Sequence, residues 1–208
     1  GSYCPNPSVE PLLCGIGSYC PSRSSQSLDC PAGFVCRDPS TIIICSSGTY
    51  CPVGSIEAEL CPIGSICPTP SISQPCQLGS YCPEGSISSQ MCDPGFVCAD
   101  PTISELCPAG FFCIGSTIVP VECELGDYCE IGSVLPSRCP PGKYCETPAN
   151  STSCPIGHFC GRSFIQPILC PESQYTNQTE SIECSNCLEG YRSSYDRRGC
   201  ELCGSQDG

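Results

Sequence analysis

The spacing of the cysteines constrains this chain more than any other feature. From Cys4 to Cys170 the intervals between successive cysteines alternate between a fixed six and a nine or ten. The second cysteines of these units (Cys4, Cys20, Cys36, Cys51, Cys67, Cys82, Cys98, Cys113, Cys129, Cys145 and Cys160) recur every 15 or 16 residues. Such regularity is the mark of a repeat array, in which each unit leans on its neighbours. With 26 Cys, 23 Pro and 21 Gly in 208 residues, no Trp and one Met, the chain has too little bulk for a large apolar core. Cross-links must supply much of the stability, at roughly 2–4 kcal/mol for each well-placed disulfide. Disulfides persist in oxidising compartments, so the composition predicts an extracellular or cell-surface protein.

Three residues before every second cysteine stands glycine: Gly1, Gly17, Gly33, Gly48, Gly64, Gly79, Gly95, Gly110, Gly126, Gly142 and Gly157. An invariant glycine predicts a turn at positive φ or a backbone approach too close for a Cβ. The residue just before the cysteine is always aromatic or β-branched, from Tyr3, Tyr19 and Val35 to Tyr144 and Phe159, whereas the one between varies freely (Ser18, Phe34, Asp127, Lys143, His158). That alternation predicts a very short strand with one packed and one wet face. Proline beside the cysteines blocks helix. The expected fold is therefore small and disulfide-rich, with essentially no helix and short β-hairpins stacked into an elongated rod or solenoid. At about 4.8 Å per strand-like layer, eleven two-layer repeats span on the order of 100 Å. Near-identical segments 62 residues apart (Gly33-Phe-Val-Cys-Arg-Asp-Pro39 and Gly95-Phe-Val-Cys-Ala-Asp-Pro101) show a duplicated four-repeat block, which is either a structural period or a bare duplication.

Two pairing schemes fit the array. One bridges the longer intervals: Cys4 with Cys14, Cys20 with Cys30, Cys36 with Cys45, Cys51 with Cys61, Cys67 with Cys76, Cys82 with Cys92, Cys98 with Cys107, Cys113 with Cys123, Cys129 with Cys139, Cys145 with Cys154 and Cys160 with Cys170. The other bridges the intervals of six, from Cys14 with Cys20 to Cys154 with Cys160, and leaves Cys4 and Cys203 seeking partners outside the chain. The first is preferred, because it uses every cysteine through Cys170 and a loop that varies by one residue suits a hairpin tip.

After Cys170 the rhythm changes to Cys170-Pro-Glu-Ser-Gln-Tyr175, Cys184-Ser-Asn-Cys187-Leu-Glu-Gly-Tyr191 and Cys200-Glu-Leu-Cys203, with Ser173 where glycine is expected. The chain thus divides into an array over 1–169 and a terminal cysteine-rich module over 170–208. These motifs resemble the ephrin-receptor-like cysteine-rich repeat, and the upstream Cys-Pro-Ala-Gly-Phe-Val-Cys and Cys-Pro-Ile-Gly-His-Phe-Cys units look like its shorter variants. The resemblance implies a large secreted or surface protein, notably of protists or algae, with members serving as spacers, stalks and fibrous or adhesive parts. Hair-like (mastigoneme-like) filaments on algal flagella are one setting of this kind.

Other chemistries find little support. A net charge of −13 has the wrong sign for gripping nucleic acid. No apolar run approaches the roughly 20 residues of a membrane span. Cys184, Cys187, Cys200 and Cys203 have knuckle-like spacing for zinc, but their setting in a disulfide array favours bridges. No catalytic set assembles around His158, the only histidine, so the chain is read as not an enzyme and as needing no cofactor. Glu122, Glu124, Asp127 and Glu130 offer oxygens to calcium but lack a recognisable loop, and a solvated acidic face is the simpler reading. Asn150-Ser-Thr152 and Asn177-Gln-Thr179 are N-glycosylation acceptors. Gly1-Ser-Tyr-Cys4 is the latter part of a repeat, as expected for a segment of a longer array. The expected function is structural: a glycosylated rod in an extracellular fibre or surface appendage, whose partners are copies of itself or related repeat proteins. Lateral contacts are expected from Ile42, Ile43, Ile44, Ile118, Val119, Ile165 and Ile168. The alternative is the stalk or ligand-binding ectodomain of a receptor or adhesin, with its site in Cys170–Cys203.

Overall fold

The computed structural model describes residues 1–6 and 8–204; positions 205–208 of the terminal module lie outside the described residues. Among the described residues there is no helix, and twenty-six short strands form thirteen separate two-stranded antiparallel sheets. Every sheet is a hairpin of consecutive strands, as the periodicity predicts. Ser18–Tyr19 pairs with Leu28–Asp29, Thr49–Tyr50 with Glu59–Leu60, and Tyr128 faces Ser137 in the same way. Two hairpins are longer, Ser65–Thr69 with Ile72–Pro75 and Lys143–Thr147 with Asn150–Ser153, and both carry a register shift.

The glycine rule has the cause expected of it. In each Cys-x-x-Gly segment the residue after cysteine accepts a hydrogen bond from the residue after glycine, as in Phe34 N–H to Pro31 O (3.2 Å) and Ser65 N–H to Pro62 O (3.0 Å). Glycine is the third residue of that turn at φ of +77° to +88° from Gly17 to Gly157. This is a type II turn, which requires positive φ at that position. At Cys170 the turn persists without glycine: Ser173 sits at φ +65° and Gln174 N–H still bonds Pro171 O.

The preferred pairing scheme is wrong, and the hairpin register says why. All ten bridges of the array span six residues: Cys14–Cys20, Cys30–Cys36, Cys45–Cys51, Cys61–Cys67, Cys76–Cys82, Cys92–Cys98, Cys107–Cys113, Cys123–Cys129, Cys139–Cys145 and Cys154–Cys160. Tyr19 faces Leu28, so Cys20 falls opposite Ser27, while Cys30 N–H bonds Gly17 O. The two cysteines that flank this hairpin are thus three ladder positions apart, about 10 Å at ~3.3 Å per residue, and on opposite faces. That exceeds the Cα separation a disulfide tolerates. In the shorter loop Val35 faces Ile43, which leaves Cys36 and Cys45 equally offset, so the missing residue comes out of the tip alone. By contrast the glycine turn folds Cys30 and Cys36 back to a Cα separation of 5.8 Å. Each bridge therefore joins one hairpin to the next. Cys170 pairs with Cys184, not Cys160, and Cys187 pairs with Cys200. Among the described residues Cys4 and Cys203 stay free and exposed.

Backbone hydrogen bonds tie neighbours further. The second cysteine donates into the tip of the following hairpin, as in Cys20 N–H to Pro39 O and Cys51 N–H to Pro70 O. Tips also reach two hairpins back, where Gly54 N–H bonds Cys30 O and Gly85 N–H bonds Cys61 O, both at 2.8 Å. At these crossings a Cβ on Gly17 would lie 2.6 Å from the Gly54 carbonyl oxygen, and one on Gly48 2.9 Å from that of Gly85. Both causes foreseen for the glycines, positive φ and close approach, thus operate together.

A finer alternation runs through the array. Bridges whose Cys-x-x-Gly turn holds proline (after Cys30, Cys61, Cys92, Cys107, Cys139 and Cys154) have Cα separations of 5.8–5.9 Å. Those without proline (after Cys14, Cys45, Cys76 and Cys123) have 6.3–6.8 Å. The two kinds alternate until Cys92 and Cys107, which are successive proline turns. There the chain divides into two compact units, Gly1–Cys92 with Cys98–Glu105, and Asp93–Val97 with the chain from Leu106 onward.

Candidate functional site: an inverted surface

The packing within each unit is inside out. Among the described residues every buried hydrophobic side chain except Val35 is a cysteine, so the interior is built of cystines. The strand residues expected to pack (Tyr19, Tyr50, Ile66, Tyr81, Phe112, Tyr128) are only half-buried. Thirty-three large hydrophobic side chains are exposed among the described residues. They include every predicted lateral-contact residue: Ile42, Ile43, Ile44, Ile118, Val119, Ile165 and Ile168. A chain of this length normally exposes apolar residues singly, and large shared patches mark interaction surfaces.

Two further sets escaped the sequence reading. Ile16, Ile63, Leu78 and Leu125 occupy the second position of the glycine turn, and Ile16 is 86% exposed. Val53 and Ile131 stand at the same point of the tip turns, Pro52-Val-Gly-Ser55 and Glu130-Ile-Gly-Ser133. The second residue of a type II turn points outward, so Cys-x-Ile-Gly and Cys-x-Leu-Gly already signalled them. On the second strand Leu13 and Met91 are 85% and 77% exposed and, like the already predicted Ile44, face the freely varying residue of the first strand, for example Leu13 opposite Ser2.

Several carboxylates are engaged in turns and across hairpins. Asp38 accepts from the Ser40 hydroxyl (2.6 Å) and its N–H (2.8 Å), and these bonds, the hydroxyl foremost, hold its carboxyl below the ordinary carboxylate range. Asp100 is lowered in the same way, chiefly by the Thr102 N–H. Asp127 faces Arg138 across its hairpin, so it joins a cross-strand pair of opposite charge. Glu122, Glu124, Asp127 and Glu130 do not converge: among the described residues no three His, Cys, Asp or Glu side chains are grouped to hold a metal ion. Cys184, Cys187 and Cys200 are taken up in disulfides and not in a zinc knuckle. His158 lies opposite Leu169, with Nδ1 3.2 Å from Ile156 O.

Asn150 opens the second strand of its hairpin and Asn177 lies in the Tyr175–Ser185 loop; both are exposed. Among the described residues no helix is long and apolar enough to cross a membrane. The twelve disulfides among the described residues suit an oxidising environment. No protein-family model matches the chain, and no curated protein matches it either.

Proposed function

We propose that this chain is a structural component of an extracellular fibre or cell-surface appendage, a disulfide-stapled and glycosylated array that associates with copies of itself or related repeat proteins. The observation that carries this reading is the inversion just described: among the described residues cystines fill the interior, and exposed large apolar side chains stand on eleven of the thirteen hairpins. An array with a modest core gains stability locally from each short covalent loop, and its exposed rows offer repeated apolar contacts to a neighbour of the same period. Glycan at Asn150 and Asn177 would keep part of the surface free of such contacts. Catalysis has no place in this function.

Negative-stain electron microscopy of the protein isolated from its source without reductant tests the reading. Filaments with a regular axial repeat are expected; dispersed molecules that stay monomeric at high concentration would refute self-association. The terminal region favours a second reading, since its bridges span fourteen and thirteen residues and it carries Arg192, Arg197 and Arg198 in an otherwise acidic chain. If removing residues 170–208 abolished partner binding but left assembly intact, a receptor or adhesin ectodomain would be the better description.

A further inference from the structure

The charges of this chain are sorted along its length. Between Arg37 and Arg138 stand eleven Asp or Glu and no Lys or Arg, whereas six of the eight cations lie from Arg138 onward. Glu57, Glu59, Glu84, Asp93 and Glu105 of the cation-free stretch are exposed. Among the described residues the two ion pairs are Arg192 with Glu201 and Arg198 with Asp196, so this stretch takes part in neither. Exposed apolar side chains, among them Ile43, Val53, Leu60 and Met91, accompany its carboxylates.

Within the second compact unit the cations favour one set of hairpins. Tip-to-foot contacts join hairpins two apart: Ser163 lies against Gly126 and Asp196 against Gly157, which links the hairpins over 127–138, 158–169 and 191–202 in one series. Ala149 against Gly110 and Glu180 against Gly142 link those over 111–122, 143–153 and 174–186 in the other. In the first series the 158–169 hairpin holds Arg162 and no Asp or Glu, and the 191–202 hairpin holds Arg192, Arg197 and Arg198 against Asp196 and Glu201. Both expose apolar side chains as well: Ile165, Ile168 and Leu169 on one, Tyr191, Tyr195 and Leu202 on the other, with Tyr191 facing Leu202. The second series carries both glycan acceptors, Asn150 on 143–153 and Asn177 on 174–186. These two hairpins hold Glu146, Glu180 and Glu183 against Lys143 alone, and Ile182 is their one exposed large apolar side chain among the described residues.

We propose that the 158–169 and 191–202 hairpins form a docking face for the cation-free stretch, residues 38–137, of a second copy of this chain. The inference rests on the self-association of the fibre reading and specifies which surfaces meet. Opposite charges come together in this arrangement, and the apolar side chains of both surfaces are covered at the same joint. Copies aligned in register would set acidic stretch against acidic stretch, which like charge disfavours. The face and the stretch it covers are different surfaces, so each copy offers one of each. The joint is therefore heterologous, and it extends into an open filament where its rotation does not close a ring. Sugar on Asn150 and Asn177 belongs to the other series and leaves this face clear.

The test is sedimentation velocity of the full chain, secreted from a eukaryotic host and kept unreduced. At about 0.15 M salt charges act over about 8 Å, so groups at the joint count and distant ones are screened. Arg162→Glu with Arg192→Glu should weaken the association about tenfold or more. Adding Glu57→Lys, Glu59→Lys and Glu84→Lys to that chain should restore much of it, a rescue that a folding defect would not allow. A pair of glycan wedges reads the same face without charge reversal. Arg192→Asn creates an acceptor with Ser193 and Ser194 on the docking face, and Ile114→Asn creates one with Gly115 and Ser116 in the other series. With both acceptors occupied, the first should block association and the second should leave it as in the wild type. Association that ignores the charge reversal, a wedge pair with the opposite outcome or equal effects, or a closed dimer overturns the docking face and leaves the fibre reading standing. A wild-type chain that stays monomeric at high concentration overturns both.

Discussion

Replacing Gly17 by alanine isolates the contact that locks hairpins two apart. Gly17 has φ +78°, so any L-residue there meets a cost of roughly 1–2 kcal/mol for the left-handed region. The added Cβ would also stand 2.6 Å from the Gly54 carbonyl oxygen, when carbon and oxygen normally approach to about 3.3–3.6 Å. The tip must retreat by most of an ångström, which stretches the 2.8 Å bond from Gly54 N–H to Cys30 O, worth about 0.5–1.5 kcal/mol net. Gly190 is the control: its φ is +89° but nothing lies within 4 Å of a Cβ, so Gly190→Ala meets the conformational cost alone. The expected totals are about 2–3 kcal/mol for Gly17→Ala and 1–2 kcal/mol for Gly190→Ala. Amide hydrogen exchange with the disulfides intact reads this locally. A loss of 2–3 kcal/mol accelerates exchange of the Gly54 amide about 30- to 150-fold, whereas Gly190→Ala leaves that amide unchanged. If Gly17→Ala altered only its own turn and left Gly54 protected, the two-hairpin contact would not be holding the stack.

Further expectations are independent of that one. Ser173→Gly should stabilise its module by about 0.5–1 kcal/mol, because serine at φ +65° bears the left-handed cost that glycine avoids; a guanidinium midpoint that fell would contradict this. Replacing Cys61 and Cys67 together by alanine removes a six-residue cross-link and should cost about 2.3 kcal/mol on chain-entropy grounds, measured as lost exchange protection at Gly85, whose N–H bonds Cys61 O; unchanged protection would refute it. The Asp38 and Asp100 carboxylates are stabilised by folding, so their contribution is full above the ordinary value of about 3.9 and is lost as pH falls through their lower folded values. Exchange at the Ser40 and Thr102 amides should therefore quicken, beyond its intrinsic pH dependence, only in that acid range, and an onset near neutrality would be inconsistent. Leu13→Ser with Ile16→Ser, at 85% and 86% exposure, should leave monomer stability within about 0.5 kcal/mol yet lower self-association in sedimentation velocity; unchanged association would remove these residues from the interface.

What was legible in the sequence is what is local. The Gly-x-aromatic-Cys segment dictates its own turn and strand, because the φ of Gly33 and the alternation of Phe34 and Val35 need no distant partner. The hairpins followed, and so did the placing of the variable residue in the tip. The bridges did not, because pairing depends on ladder register: only the facing of Tyr19 with Leu28 shows that Cys20 and Cys30 miss each other. The proline alternation was present in the letters, Cys30-Pro-Ala-Gly against Cys45-Ser-Ser-Gly, but its consequence for bridge geometry shows only in the folded turns, at Cα separations of 5.8 and 6.8 Å. Of the outward residues, the isoleucines of the variable loops were legible as exposed apolar groups. Ile16 and Leu125 were missed because a turn's second position carries no hydrophobic period.

The most direct test of the account is which sulfur Cys30 binds. Digestion of unreduced protein with trypsin and chymotrypsin cuts after Tyr19, Arg23, Phe34 and Arg37, which separates Cys20, Cys30 and Cys36 onto three peptides. The structure predicts residues 24–34 joined to Val35-Cys36-Arg37. Residues 24–34 joined instead to the peptide of Cys20 would mean that the bridges close single hairpins, and the covalent link from each hairpin to the next would be lost.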